Sequence, residues 1–301
     1  MPLISVVFPA YNNIDTLKVT LPAILLQDLP TGFAHEVIVV DDGSAPATAD
    51  WLAAHTHPNL SLWRQPVNTG RAAARNAGVR AARGEALVFL DSDVIVRRDF
   101  LAAHAHTLGL DGGGGCDISI GRLMDTDSLA PADTRPVPAP RPGLPHFTTA
   151  NVALRAGLLA SLAPDGPFDA ATFTRYGWED LDLERRLASL HPRRRRAQGA
   201  VGFHICPPFS VRLLPEMIEK EIDRAAMAKA FYAKHPTLGV RLVIQNTPLH
   251  RLMWEILSLG GLLNARSLKP VLGWLVRKGR APLAARIARL SILNPTYVRH
   301  L

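Results

Sequence analysis

Cysteine is scarce in this chain: Cys116 and Cys206 are the only two among 301 residues. They supply neither a disulfide framework nor a zinc-ligand spacing, and they point to a reducing compartment. Long apolar runs are also missing. No stretch has the about 18 uninterrupted apolar residues that a membrane-spanning helix needs. The first residues, Met1-Pro2-Leu3, lead straight into strand-like sequence, without the charged region, apolar region and cleavage site of a signal peptide. The expected location is therefore cytoplasmic. No internal repeat is visible. Acids are nearly missing from the end of the chain, where residues 241–301 hold ten Lys or Arg and one acid, Glu255.

What is there is globular in composition, with 48% hydrophobic and 20% charged residues, enough for a sizeable core. The net charge of +8 is concentrated in the tail, because residues 1–240 carry 24 basic and 25 acidic side chains. The tail's basic residues lie among Leu, Ile, Val and Trp rather than among polar or aromatic base readers. That pattern suits an anionic membrane surface, at its inner face, better than nucleic acid. Pro270 and Gly260-Gly261 interrupt the tail, so it should lie on a bilayer rather than span it. The alternative is a helical subdomain packed on the core or at a dimer interface. The sequence leaves the oligomeric state open. It reads as a body of 1–240 and a basic, apolar helical extension of 241–301.

Along the body, strand-like and helix-like segments alternate. Strands are predicted over 3–9, 36–40, 60–64 and up to Asp91, with helices over 15–26, 47–54 and 71–82 between them. This βαβαβαβ order predicts an α/β fold with a mostly parallel central sheet flanked by helices. Beyond Asp93 the expectations are a helix at 98–108, loops at 112–115 and 131–145, and a strand at 148–154. A helix at 179–190, a strand at 200–205 and a helix at 215–234 follow.

The run Ala86-Leu87-Val88-Phe89-Leu90 ends in Asp91-Ser92-Asp93. A fully apolar run reads as a strand covered on both faces. Two carboxylates at its carboxyl end repel each other unless a cation joins them. Mg²⁺ takes one or two carboxylates plus phosphate oxygens, so a metal holding a diphosphate fits there. An acidic turn is the plainer alternative. Asp42, after Val39-Val40, can accept from a base N–H or a ribose hydroxyl, or can close an Asp-Gly turn. His204 ends another strand. It is either a packed core histidine or an imidazole ligand beside Asp91 and Asp93, a set that suits Mn²⁺ at least as well as Mg²⁺. Gly177-Trp178-Glu179-Asp180 opens a helix. The acids either cap it or offer Asp180 as a general base, with Trp178 as a wall for a sugar face. Arg193-Arg194-Arg195-Arg196 is either a solvated face or a phosphate contact.

In their order, these segments resemble the family 2 glycosyltransferases of the GT-A, Rossmann-like fold. The resemblance is carried by Ile4-Ser5-Val6-Val7-Phe8-Pro9-Ala10-Tyr11-Asn12, Val39-Val40-Asp41-Asp42-Gly43-Ser44, Asn68-Thr69-Gly70 with Ala74-Arg75-Asn76-Ala77-Gly78, Asp91-Ser92-Asp93, Thr149-Ala150-Asn151 and Gly177-Trp178-Glu179-Asp180. It covers about residues 3–205 and implies inverting transfer of a sugar, of hexosyltransferase type, from a nucleotide-diphospho-sugar to an acceptor hydroxyl. By similarity, Pro9, Ala10, Tyr11 and Asp42 surround the nucleoside. Arg75 and Asn76 belong to the donor-side helix. Asp91-Ser92-Asp93 lie at the ribose and the metal–diphosphate, with Asp91, Asp93 and His204 on a divalent metal, Mn²⁺ or Mg²⁺. Asp180 is the implied base, with Glu179 beside it, and Asn151 and Trp178 fall on the acceptor side. Trp178 stands where the family often has a small residue. A UDP-sugar is the expected donor, with GDP- and dTDP-sugars open; if the tail binds a membrane, a lipid-linked or envelope glycan is the expected acceptor, in polysaccharide biosynthesis. Two other readings remain: a sugar-phosphate nucleotidyltransferase, and a non-catalytic nucleotide- or carbohydrate-binding protein. The first ordinarily has a Gly-rich basic loop where Ala10-Tyr11-Asn12-Asn13 stands here.

Overall fold

The segment Leu-Ile-Ser-Val-Val-Phe-Pro-Ala forms β1 (Leu3–Ala10), buried along nearly its whole length. A computed structural model describes residues 1–113, 115–139, 146–162 and 166–301. Two units make up the chain, one of residues 1–174 and 179–206, the other of 175–178 and 207–301. The division thus falls after Cys206 rather than near residue 240.

In the first unit, α1 (Ile14–Leu25), β2 (Ala34–Asp41), α2 (Pro46–Ala53), β3 (Leu60–Arg64), α3 (Arg71–Ala81) and β4 (Ala86–Leu90) follow in the expected alternation. Next come β5 (Val94–Val96), α4 (Phe100–Leu108), β6 (Ile118–Thr126), β7 (Asn151–Arg155), α5 (Ala156–Ala160), α6 (Glu179–Ala188) and β8 (Arg194–Ile205). The sheet has eight strands in the order β3-β2-β1-β4-β7-β6-β8-β5. The neighbours from β3 to β4 are parallel, and so are β6 and β8. The β4–β7, β6–β7 and β5–β8 pairs are antiparallel. Parallel strands buried on both faces need apolar runs rather than alternation, which is what β2 and β4 supply. One core of Ile4, Val6, Phe8, Leu17, Leu21 and Ile24 packs α1 on one face. A second, with Val7, Phe89, Ile120, Val152 and Leu183, fills the other. Gly78 of α3 permits close packing, since a Cβ there would lie 2.4 Å from Cγ1 of Val7.

The second half differs from the expectations in detail. β5, β6 and α5 were not expected, and β8 begins at Arg194 rather than near 200. The arginine run therefore enters a strand. Arg194 pairs with Glu184 at 2.7 Å and Arg193 with Asp117 at 3.7 Å, which gives both arginines carboxylate partners. β6 is ordered by pairing with β7 and β8, partners distant in sequence, so local pattern carries little of its signal. Of the expected loops, Gly114 and residues 140–145 lie outside the described residues.

The second unit is helical. It contains α7 (Leu214–Lys234), α8 (Leu238–Val243), α9 (Pro248–Leu257), α10 (Ala265–Arg277), α11 (Ala281–Ala288) and α12 (Asn294–His300), with a π-helical turn at Arg289–Leu293 before α12. Its core joins Leu214, Leu272, Leu275, Ala284, Ala288 and Leu293. The Tyr297 hydroxyl donates to the carbonyl of Ile244 at 3.0 Å, and the Arg224 guanidinium lies 4.0 Å from the Tyr297 ring centroid. Among the described residues, no helix is long and apolar enough to cross a membrane.

Candidate active site

The parallel register puts the carboxyl ends of β1, β2 and β4 on one edge, with Ala10 opposite Asp41. In open α/β sheets ligands bind outside that edge. Tyr11 is exposed there, Ala10 is buried and Pro9 half-buried. Asn12 ties the first two strand ends together: its amide N–H donates to Ser44 Oγ at 3.0 Å, and its side-chain oxygen accepts from Ala45 N at 2.8 Å.

Asp42 is buried and serves as a loop anchor. Its carboxylate accepts from Thr69 N at 2.8 Å, Thr69 Oγ1 at 3.1 Å and Gly70 N at 3.0 Å. Gly43 follows at φ +73°, and a Cβ on it would lie 2.5 Å from the Val67 carbonyl carbon. Both the left-handed backbone and the close approach require glycine. In this structure the Asp42 carboxylate fixes the segment entering α3.

Arg75 of α3 is the largest fully buried side chain, 1% exposed. One of its terminal nitrogens donates to Asp91 Oδ1 at 2.7 Å, the other to Glu179 Oε1 at 3.0 Å. Burial opposes its charge, but the two carboxylates outweigh burial and raise its pKa further. For Asp91, burial favours the neutral form, yet the guanidiniums of Arg75 and Arg71 hold its pKa below the usual range. Arg75 thus brings Asp91 and Glu179 together from distant parts of the chain. Asn76, beside it, is spent on structure: it donates to Phe168 O at 2.7 Å and accepts from Phe168 N at 2.9 Å.

Asp180 is half-buried beside this network. Desolvation first, then the charges of Glu179 and Asp91, push its pKa up to about 7, against the opposing pull of Arg75 and the Leu181 amide. A carboxylate poised near neutrality can take a proton from a hydroxyl and hold it. Glu179 keeps one buried oxygen, Oε2, without a hydrogen-bond partner.

Between the two acids of the Asp-x-Asp segment, Ser92 is pinned to α1. Its hydroxyl accepts from Asn13 Nδ2 at 2.7 Å and its carbonyl from Thr20 Oγ1 at 2.9 Å. Asp93 then meets His204 of β8, with Nε2 3.4 Å from Asp93 Oδ2. The other Asp93 oxygen is buried and has no hydrogen-bond partner. An orphaned carboxylate oxygen beside an imidazole fits a hard or borderline divalent cation. The hydrogen bond to Asp93, offset by burial and helped by Asp125, raises the His204 pKa to about 9.

The two residues expected on the acceptor side, Asn151 and Trp178, are both buried. Asn151 is fully buried: it accepts from His104 Nε2 at 3.0 Å and donates to the carbonyls of Arg122 at 2.9 Å and Ala200 at 3.1 Å. It is thereby a tie across β6, β7 and β8. Trp178, in the second unit, is mostly buried. It stacks on Phe231 with centroids 5.5 Å apart and donates its indole N–H to Arg224 O at 2.9 Å. Its ring therefore faces helix α7 rather than standing open as a wall. Its φ of +73° is rare for a large side chain and sits one residue before Glu179. Sequence reasoning missed Asp125 and Cys206, which cluster with His204. Asp125 lies on β6, a strand with no local signal strong enough to place it.

Comparison with known proteins agrees with this architecture, which is that of the GT-A glycosyltransferases. Residues 5–136 match the model of Glycosyl transferase family 2. The chain is similar to the succinoglycan biosynthesis protein ExoO of Rhizobium meliloti, with 35% identity over 52% of this chain and 44% of that protein. It also resembles the pre-mycofactocin glycosyltransferase of Mycobacterium tuberculosis, with 29% identity over 85% of this chain and 53% of the relative. The chain thus spans about half the length of these curated relatives. Among solved structures, the mannosyltransferase PcManGT of Pyrobaculum calidifontis, in complex with GDP-Man and Mn²⁺, aligns with a TM-score of 0.55 at 19% identity. It covers 96% of this chain and 79% of that one. S. aureus TarS 1–349 aligns with a TM-score of 0.51 at 19% identity, over 96% and 90%. At such identity these structures speak for the fold alone.

Proposed function

We propose that the chain is an inverting, metal-dependent glycosyltransferase that moves a sugar from a nucleotide-diphospho-sugar to an acceptor hydroxyl. The observation that carries this reading is Asp180, a half-buried carboxylate with its pKa pushed up to about 7 beside the buried Arg75–Asp91–Glu179 network. Such a group removes the acceptor proton as the new bond forms on the face opposite the leaving diphosphate. Asp93 and His204, with Asp91 held close by, are the residues that would hold Mn²⁺ or Mg²⁺. When bound, the ion supplies Lewis-acid neutralisation of the leaving group. Arg75 fixes Asp91 so that it need not be reorganised for each turnover. The donor we propose is a nucleotide-sugar, a UDP-sugar first and a GDP-sugar next; proteins of the same fold have been solved with UDP-GlcNAc and with GDP-Man.

The acceptor we propose is a lipid-linked or envelope glycan, reached by peripheral attachment of the second unit to an anionic bilayer. In α9, Leu249, Leu252, Met253, Ile256 and Leu257 are exposed at 73, 59, 37, 62 and 38%, whereas Trp254 is turned inward at 7%. Their spacing puts the five on one helical face. Trp274 and Val271 are exposed on α10, among the ten basic residues of 241–301. An apolar helical face with cationic neighbours matches the interfacial mode of binding.

The decisive experiment measures nucleotide release from UDP-, GDP- and dTDP-sugars with Mn²⁺, with Mg²⁺ and with chelator, in the presence of a panel of lipid-linked and glycan acceptors. Release of the nucleoside diphosphate from one donor, abolished by chelator, is expected. Pyrophosphate release from a nucleoside triphosphate plus sugar phosphate would instead favour a nucleotidyltransferase. Tight donor binding with no turnover on any acceptor would favour a binding protein.

A further inference from the structure

His204 has two faces. Its Nε2 is turned to Asp93 at 3.4 Å. Its Nδ1 lies 3.1 Å from Asp125 Oδ1 and 3.1 Å from Cys206 Sγ, and Asp125 Oδ1 and Cys206 Sγ are 3.5 Å apart. A carboxylate oxygen, an imidazole nitrogen and a thiol sulfur therefore form a small triangle, with all three ligand atoms within 4.8 Å of one another. The pieces come from two strands. Asp125 sits near the end of β6 and His204 near the end of β8, opposite each other in the parallel register, while Cys206 follows β8 directly.

We infer that Asp125, His204 Nδ1 and Cys206 form a binding site for a thiophilic divalent cation of the zinc class. Zinc bonds of about 2.3 Å to sulfur and about 2.0–2.2 Å to nitrogen or oxygen give tetrahedral edges of about 3.3–3.7 Å between ligand atoms. The observed triangle, with sides of 3.1, 3.1 and 3.5 Å, needs only small side-chain adjustments to match. Thiolate selects zinc-class ions over Mg²⁺, which prefers oxygen ligands. Binding replaces the thiol proton by the metal–sulfur bond and the Nδ1 proton of His204 by the metal–nitrogen bond; both protons leave to solvent, so no oxidant or reductant is involved. Three protein ligands leave the fourth position of a tetrahedral ion open to water. The site is also coupled to Asp93 by the ring it shares. A neutral imidazole bound through Nδ1 carries its proton on Nε2, which then donates to Asp93 instead of ligating a second ion. The coupling to a catalytic metal rests on the transferase reading; the site itself does not.

The test is a Co²⁺ titration of the full chain under reducing conditions, followed by absorbance in the thiolate-to-cobalt charge-transfer region. One equivalent of Co²⁺ should produce the band, and Zn²⁺ should bleach it by displacement. Cys206→Ser and Cys206→Ala should each abolish the band while keeping the wild-type thermal unfolding transition. Asp125→Asn should weaken Zn²⁺ affinity by at least about tenfold, as loss of metal-site groups commonly does. Cys116→Ser, which removes the buried thiol, should leave the band intact. Absence of a band at stoichiometric Co²⁺, its survival in both Cys206 variants, or unchanged Zn²⁺ affinity in Asp125→Asn would overturn the site. Because no turnover is measured, an inactive protein gives the same readout.

Discussion

Arg75 donates a 2.7 Å hydrogen bond to Asp91 from a position with almost no solvent exposure. Its other terminal nitrogen holds Glu179, so one cation serves two acids that would otherwise repel each other. Arg75→Met leaves both acids without their shared partner. The expected loss is about 3–5 kcal/mol, the usual cost of breaking a buried ion pair from one side. Urea unfolding at pH 8 measures it. Arg75→Lys keeps the charge but not the fork, and should fall between Met and wild type. A loss below about 1 kcal/mol for the Met variant would mean that water, not Arg75, satisfies the acids.

In the proposed reaction, Asp180 sets the pH dependence of turnover. It must be ionised to act as a base, so kcat/KM should rise with pH through about 7 and level off above it. Asp180→Asn should lower the rate by about 10²–10⁴-fold, the range for a general base. The sign for stability is the reverse. A carboxyl whose folded pKa is raised binds a proton more readily when folded, so its contribution falls as pH rises from about 4 to about 7. Asp180→Asn should therefore raise Tm relative to wild type at pH 8 and leave it close to wild type at pH 5. A rate independent of pH between 6 and 8 would remove Asp180 from the base role.

Asp93 has one buried oxygen without a partner and a histidine at the other. Calorimetry of donor binding should show affinity strengthened by Mn²⁺ in the wild type. Asp93→Ala should bind donor equally with metal and with chelator. Metal-strengthened binding that persists in the variant would move the ion to other ligands.

His104 is fully buried, between Ser119 Oγ at 2.8 Å and Asn151 Oδ1 at 3.0 Å. Burial lowers its pKa to about 4, against the Asn151 hydrogen bond. Unfolding lets it protonate near its ordinary value. The stability it contributes is therefore complete above about pH 6.5 and is lost as pH falls toward 4. The loss attributable to His104 is about 3 kcal/mol across that window. His104→Gln should be less stable than wild type at pH 7.5, with the difference shrinking toward pH 4.5. Denaturant midpoints at both pH values decide this.

The outward face of α9 is apolar although the helix is exposed. Leu252→Glu with Ile256→Glu should leave the unfolding transition unchanged, since neither side chain is in the core. The same pair should abolish flotation with vesicles containing anionic lipid at low salt. Flotation equal to wild type would free α9 from any membrane role.

The first half of the fold was legible in the sequence because its signals are local. Apolar runs such as Ala86–Leu90 mark strands buried on both faces, and turn residues such as Asn68-Thr69-Gly70 separate them from helices. Motif order then tied Asp91, Asp93, Glu179, Asp180 and His204 to one candidate site. Some things only the tertiary structure decided. Asn151 and Asp42 look like ligand contacts in sequence, and only the structure shows that both are also hydrogen-bonded into the scaffold. Trp178 reads as a pocket wall, yet its ring finds Phe231, more than fifty residues later. Cys206 shows no metal spacing along the chain and meets Asp125 only because β6 and β8 are parallel neighbours. The same holds for Arg75, whose charge could be read from sequence but whose two partners could not. Local pattern fixes which face of a strand or helix is apolar. Which polar atoms are left facing one another depends on strand order, and that is set by contacts across the whole chain.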